Sequence, residues 1–164
     1  KWVVLHINYF KRFLEGKINM ALIDGLKNDD KRQMLVADCM NLLETRVANI
    51  GGISGIAIKA GYATIKGISP KYCAGAVERL LPESFAALEP LWNEGLERGD
   101  AVTHLTQNRS RTADAIFSVT DIRIEKSTNS TIKGVYGKLR VSAKKHVEEV
   151  VPDLAQILDK YAKN

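Results

Sequence analysis

Residues 30–50 carry the pattern that most constrains this chain. At about 100° per residue, Leu35, Val36, Cys39, Met40, Leu42, Leu43, Val47 and Ile50 fall on one side of a helix. Asp38, Asn41 and Thr45 fall on the other. Asn28 or Asp29 suits the N-cap, and Gly51-Gly52 suits the stop. A helix with one apolar side must bury it against other elements, so the rest of the chain is read for what covers it.

Further helices follow from caps and prolines. Ser54 offers a cap for a helix to about Ile68. Ser69-Pro70 opens a helix ending near Leu81, because Pro82 restricts the residue before it. Pro82 opens the next, with Phe85, Leu88, Leu91, Trp92 and Leu96 on its apolar side, Pro90 as a kink and Gly99 as its close. Asp100 caps a short helix through Gln107, and another spans about 111–126. A polar turn at 127–131 leads to a long helix over 131–151, and Pro152 starts a last one through Ala162. The expectation is an all-α, single-domain bundle of about seven helices.

One region admits a second reading. SVTDIRIEK, STNST and TIKGVYGKLRV also suit a β-hairpin near residues 117–141, which makes the fold α+β. Ile122 and Ile124 alternate there, and Gly134 and Gly137 each weaken a helix by about 1 kcal/mol. The helical reading explains one more thing: Ile132, Val135, Tyr136, Leu139, Ala143, Val147 and Val150 form a single stripe.

The stretch GGISGIAIKAG (residues 51–61) resembles a phosphate loop at first sight. Its lysine follows Gly55 by four positions, and a helix precedes it where a phosphate loop needs a strand. It reads instead as a helix junction followed by a packing helix. Gly55, Ala57, Gly61, Ala63 and Gly67 are the small residues that let a neighbour approach, at the centre of the bundle. That neighbour comes from this chain or from a twin.

The 164 residues are 45% apolar and 26% charged, ordinary for a globular domain. The longest charge-free run, residues 47–58, is 12 residues, against roughly 20 needed to span a bilayer. Two cysteines, Cys39 and Cys73, make no disulfide framework and point to a reducing, cytoplasmic setting. Met20-Ala21 reads as a more natural start than Lys1. Residues 1–19 are thus an extension, aromatic and apolar, that suits a docked terminal helix or a membrane-surface segment. The domain is then 20–164.

Charge is uneven. Residues 126–146 carry Lys126, Lys133, Lys138, Arg140, Lys144 and Lys145 and no acid, within a net charge of +5. Such clustering is the footprint of a polyanion binder. On a helix, Lys133, Arg140 and Lys144 lie within about 40° of one another and Lys138 and Lys145 some 120° away. The two sets flank the apolar stripe, as lysines do around a core-facing helix. Tyr136 alone is available for base stacking, and it falls on the core side. Residues 78–100 are acidic in turn, with Glu78, Glu83, Glu89, Glu94, Glu97 and Asp100.

Little in the chain organises chemistry. His6, His104 and His146 are scattered, and only Asp100 and His104 share a helix face at i, i+4. No metal or cofactor is expected. Arg140 and His146, six apart, resemble the Arg-x(4–6)-His motif of HEPN-domain ribonucleases. The resemblance covers seven residues and implies an arginine on the scissile phosphate and a histidine moving the 2′-hydroxyl proton. Val141 stands where that motif usually has a polar residue.

A wider resemblance runs through SGIAIKAGYATIK, AVERLLPESFAALEPLW, AIFSVTD and VYGKLRVSAKKHV. In order and spacing these look like an uncharacterised family of small actinobacterial and cyanobacterial proteins, from Met20 to Tyr161. The resemblance implies a compact, mostly helical cytosolic protein and no activity. The functional expectation is a non-enzymatic interaction or scaffold protein whose partner is another protein, including a second copy. The alternative is an RNA-binding or RNA-cleaving helical domain using the basic helix over 131–150.

Overall fold

The computed structural model describes residues 21–24 and 26–162. The proposed extension, residues 1–19, lies outside them. Seven helices and no strand occur among the described residues: α1 (Ala21–Asp24), α2 (Asp29–Asn49), α3 (Gly52–Lys66), α4 (Tyr72–Glu97), α5 (Ala101–Gln107), α6 (Arg109–Glu125) and α7 (Ser130–Ala162). The all-α expectation holds, and the hairpin near 117–141 is instead α6, a short turn and the start of α7.

Two long helices organise the bundle. α1, α2, α3, α5 and α6 each pack against both α4 and α7. The core lies where they meet, around Phe85, Leu88 and Trp92 of α4, Leu105 of α5, and Val151, Ala155 and Leu158 of α7. Those α4 and α7 positions recur at three- and four-residue steps, which aligns them on one helical face.

Pro82 and Pro152, expected to separate helices, do not do so. Pro82 and Pro90 lie inside α4, and Pro152 lies inside α7. An interior proline costs about 3 kcal/mol. Burial of Leu81, Phe85, Leu88, Leu91 and Trp92 along α4 offsets it, at roughly 1.5–3 kcal/mol per large apolar side chain. α4 starts at Tyr72, past Ser69-Pro70.

The caps are mixed. Asn28 Oδ1 accepts from the Lys31 N–H at 3.0 Å, and Asp100 Oδ1 accepts from the Val102 and Thr103 N–H groups. Ser54 does not cap α3: Gly51 holds that position without a side-chain bond. Gly52 opens α3 at φ +76°, a backbone conformation that favours glycine.

The placement of α3 differs most from expectation. It lies at the rim, and Gly55 is its one buried residue. Its partner α2 likewise buries only Leu35. Val36, Cys39, Met40, Leu42 and Val47 of the strongest apolar pattern in the chain are half-buried, and Leu43 is exposed. No helix among the described residues is long and apolar enough to cross a membrane.

Candidate interaction surface

Arg140 and His146 share α7 but serve different neighbours. Arg140 turns to α6, where Nε and Nη2 donate to the two oxygens of Asp121 at 2.8 and 3.1 Å. Its guanidinium lies 3.9 Å from the centre of the Phe117 ring. The Tyr136 hydroxyl donates to the same carboxylate at 2.5 Å. The Arg140 bonds come first among the causes that hold the Asp121 carboxyl below the usual range.

His146 turns to α2 and α3. Its Nε2 is 3.0 Å from Ser54 Oγ, its Nδ1 3.5 Å from Arg46 Nη2 and 3.7 Å from Glu149 Oε2. Ser54, His146 and Glu149 stand in line across α3 and α7, but Nδ1 meets the Arg46 guanidinium, which has only donors, at a shorter distance than the Glu149 carboxylate. Glu149 is paired with Arg46. Burial first, then the Arg46 and Lys145 charges, lower the His146 pKa and keep the ring neutral. The arrangement pins α3 to α7 through a neutral hydrogen bond. The ribonuclease-like pairing of Arg140 with His146 is not assembled.

His104 is another bound histidine. It is 4% exposed, and its Nε2 lies 3.1 Å from Glu94 Oε2. Arg111 grips both oxygens of the same Glu94 at 3.1 Å. Asp100 spends its oxygens on the α5 cap. Among the described residues, no group of three or more His, Cys, Asp or Glu side chains is placed to hold a metal ion.

The charge runs resolve into intramolecular pairs and a remainder. Glu78 meets Arg32, Glu83 meets Arg123 and Glu94 meets Arg111. Within the basic segment, Arg140 is held by Asp121 and Lys144 by Asp114 at 2.6 Å. Lys126, Lys133, Lys138 and Lys145 are exposed and form no ion pair among the described residues. Between them on α7 stand Gly134 and Gly137, with open space around each, and Val141, 86% exposed.

The largest apolar exposure is on α3. Ile53 is 90% exposed and Ile56 71%. Ala57, Ala60, Ala63, Thr64 and Gly67 continue the same exposed face. The opposite edge meets α7: a Cβ on Gly61 would lie 2.4 Å from Leu139 Cδ1. Gly55 closes on Ile50, whose carbonyl oxygen would lie 3.0 Å from an added Cβ. Of the small residues singled out in the sequence, Gly55 and Gly61 therefore face the bundle, and Ala57, Ala63 and Gly67 face outward. A shallow groove of about 570 Å3 lies between α2 and α7, bordered by Asn41, Thr45 and Gln156. Its charged end is closed by Asp38, which accepts from Lys160 and Tyr161.

Sequence reasoning missed Glu89. It stands within the acidic run, yet it is 0% exposed, and among the described residues neither carboxylate oxygen has a side-chain hydrogen-bond partner. The signal was present: Glu89 follows Phe85 by four and precedes Trp92 by three, on the buried stripe. Burial first, then the Asp24 charge, pushes its carboxyl up to about 7.

These features define an all-helical bundle whose polar side chains mostly bind one another, with apolar and basic surface left over. The chain belongs to DUF6918, a family of unknown function, which it matches over residues 22–162. No curated protein and no solved structure matches it.

Proposed function

We propose that the protein is a non-enzymatic interaction protein that assembles as a homodimer through the exposed face of α3. The observation that carries this reading is the exposure of Ile53 and Ile56 on a helix face otherwise built of small residues. Large exposed apolar groups in a contiguous patch mark interaction sites.

The face is complementary to itself when two copies cross antiparallel with Ala60 at the two-fold axis. Positions seven before and after Ala60 are Ile53 and Gly67; four before and after, Ile56 and Thr64; three before and after, Ala57 and Ala63. All lie within about 60° of Ala60 on the helical wheel. Each large residue of one copy thus faces a smaller residue of the other, which is the condition for an isologous contact.

Sedimentation equilibrium tests it. A concentration-dependent dimer, abolished by Ala60→Glu with the helical spectrum unchanged, is the expected result. A monomer at all concentrations rejects the reading. The two free cysteines fit a reducing, cytoplasmic setting, with burial pushing the Cys39 thiol up to about 11.

The exposed, unpaired Lys126, Lys133, Lys138 and Lys145 favour a second reading, a polyanion partner on α7. Tyr136, bonded to Asp121, is not free for base stacking, so the partner's phosphate backbone would carry the contact. Absence of RNA retention on the immobilised protein at low salt ends that reading.

A further inference from the structure

The exposed faces of α3 and α7 adjoin. The two helices run antiparallel, since Gly61 lies against Leu139 and Val135 while Ser54 meets His146. Leu139 and His146 mark the side of α7 that faces α3. Arg140 and Lys144, held by Asp121 and Asp114 of α6, mark the opposite side. By the helical step of about 100° per residue, Gly134, Gly137 and Val141 point outward between those sides, and all three are exposed. Lys138 and Lys145, also exposed, stand on the edge beside α3. On α3, Ala57 and Thr64 lean from the Ala60 face toward that same edge.

In the α3 dimer, on which this inference rests, the two-fold axis runs sideways between the two face-to-face helices. It therefore leaves both copies of α7 on one side of the α3 pair, outer face opposite outer face. Ala60 is level with the stretch near Arg140, because Gly61 lies against Leu139. Lys138 and Lys145 of both copies thus stand within about 8 Å of the axis along α7. Four ammonium groups line one cleft. Gly134 and Gly137 of each copy, with open space around them, widen it. Glu148 bounds it and is drawn to Lys144 at 3.8 Å. None of the residues that line it is aromatic, and Tyr136 is turned away to Asp121.

Like charges brought together oppose the dimer until an anion lies between them. We propose that the cleft between the two α7 faces takes a linear inorganic polyphosphate, and that this chain and the dimer stabilise each other. The form of the cleft selects against nucleic acid. Packed α3 helices lie about 8–10 Å apart, so the flanking α7 faces leave a gap too narrow for a duplex, whose major groove alone is about 12 Å wide. A single strand is held by aromatic platforms under its bases, and the cleft has none. A phosphate chain without bases needs only ammonium groups and room, which the lysines and glycines supply.

Sedimentation equilibrium of the full chain with a short linear polyphosphate tests it. The expected result is a dimer tightened about tenfold, with one polyphosphate chain bound per dimer. Lys138→Ser combined with Lys145→Ser leaves the α3 face intact. That variant should dimerise at least as well as the parent without polyphosphate, and lose the response to it. A dimer that ignores polyphosphate, or a response that survives the double lysine change, overturns the proposal. So does a thymidine oligonucleotide of equal charge that tightens the dimer more. The proposal also fails if Ile56→Thr, an uncharged change on the α3 face, leaves polyphosphate binding unchanged. A parent that stays monomeric with and without polyphosphate rejects the α3 dimer itself.

Discussion

Arg140 and Asp121 meet side-on across α6 and α7, two nitrogens on two oxygens, with Phe117 beneath the guanidinium. This contact removes Arg140 from the pool of groups that could hold a phosphate, and gives it a structural task. The pair is partly exposed, so its worth is modest. Asp121→Asn is expected to cost about 0.5–1 kcal/mol in urea unfolding at pH 7. The Asp121 carboxyl is depressed in the fold. Its contribution is therefore complete above the unfolded value, near 3.9, and is lost as pH falls below it. The variant should show a flatter acid limb; an unchanged limb would refute this.

His146 gives the opposite window. Its pKa is lowered in the fold, so the unfolded chain binds the proton more readily. Stability is complete above the unfolded value of about 6.5 and falls as pH drops through it. His146→Gln should remove that slope. If His146 is a pin and not a base, Ser54→Ala costs about 1 kcal/mol and the Gln variant partly retains the bond to Ser54. RNA cutting by the wild type that vanishes in a stably folded His146→Ala would contradict this assignment.

Glu89 is expected to make the 164-residue chain less stable as pH rises. Its carboxyl is raised to about 7. Its stabilising protonated form is complete below the unfolded value of about 4.3 and lost as pH climbs through the folded one. Glu89→Gln should therefore match the parent near pH 4 and exceed it by about 1–3 kcal/mol at pH 8. A parent with flat stability between those limits rules it out.

Two glycines separate packing from propensity. A Cβ on Gly95 would lie 2.5 Å from the Ala101 Cα and 2.8 Å from the His104 Cβ, where α4 closes on α5. The obstacle includes backbone, so Gly95→Ala should cost about 1–3 kcal/mol or more. Gly137 has open space around it on α7, and Gly137→Ala should gain up to about 1 kcal/mol. Thermal melts of the two variants should move in opposite directions. A loss at Gly137 comparable to that at Gly95 would mean that the space around Gly137 is used by a partner.

The residues that were legible in the sequence are those whose signal is local. Asn28 and Asp100 announce their helices because a cap acts within three residues. The α4 stripe is periodic, so Phe85, Leu88 and Trp92 were readable as core. What failed was tertiary. Pro82 and Pro152 read as stops because the cost of a proline is local, while the burial that overrides it comes from other helices. The apolar side of α2 predicts a deep core position, yet only Leu35 reaches it, because α2 and α3 sit at the rim. The partners of Arg140 and His146 lie on other helices, where spacing along α7 carries no information. Glu89 went unnoticed because an acid is expected to be solvated, even where the helical step turns it inward.

The α3 dimer makes a sharper demand than dissociation by a charge. In the antiparallel crossing Ile56 of one copy packs on Thr64 of the other, and the contact occurs twice. Thr64 is exposed and its hydroxyl bonds back to the Ala60 carbonyl at 3.0 Å, so its methyl is free to face outward. Ile56→Thr removes apolar contact at both ends and should weaken dimerisation about tenfold, or roughly 1.4 kcal/mol. Thr64→Ile places two isoleucines together and should weaken it as well, by forcing the helices apart. The double exchange, Ile56→Thr with Thr64→Ile, restores one large and one small residue at each contact and should recover most of the affinity. A parallel pair has no such rescue, because Ile56 would face its own twin and the exchange would only move the crowding along the helix. Sedimentation equilibrium of the four proteins distinguishes the cases: losses that simply add in the double variant would exclude the antiparallel crossing at Ala60.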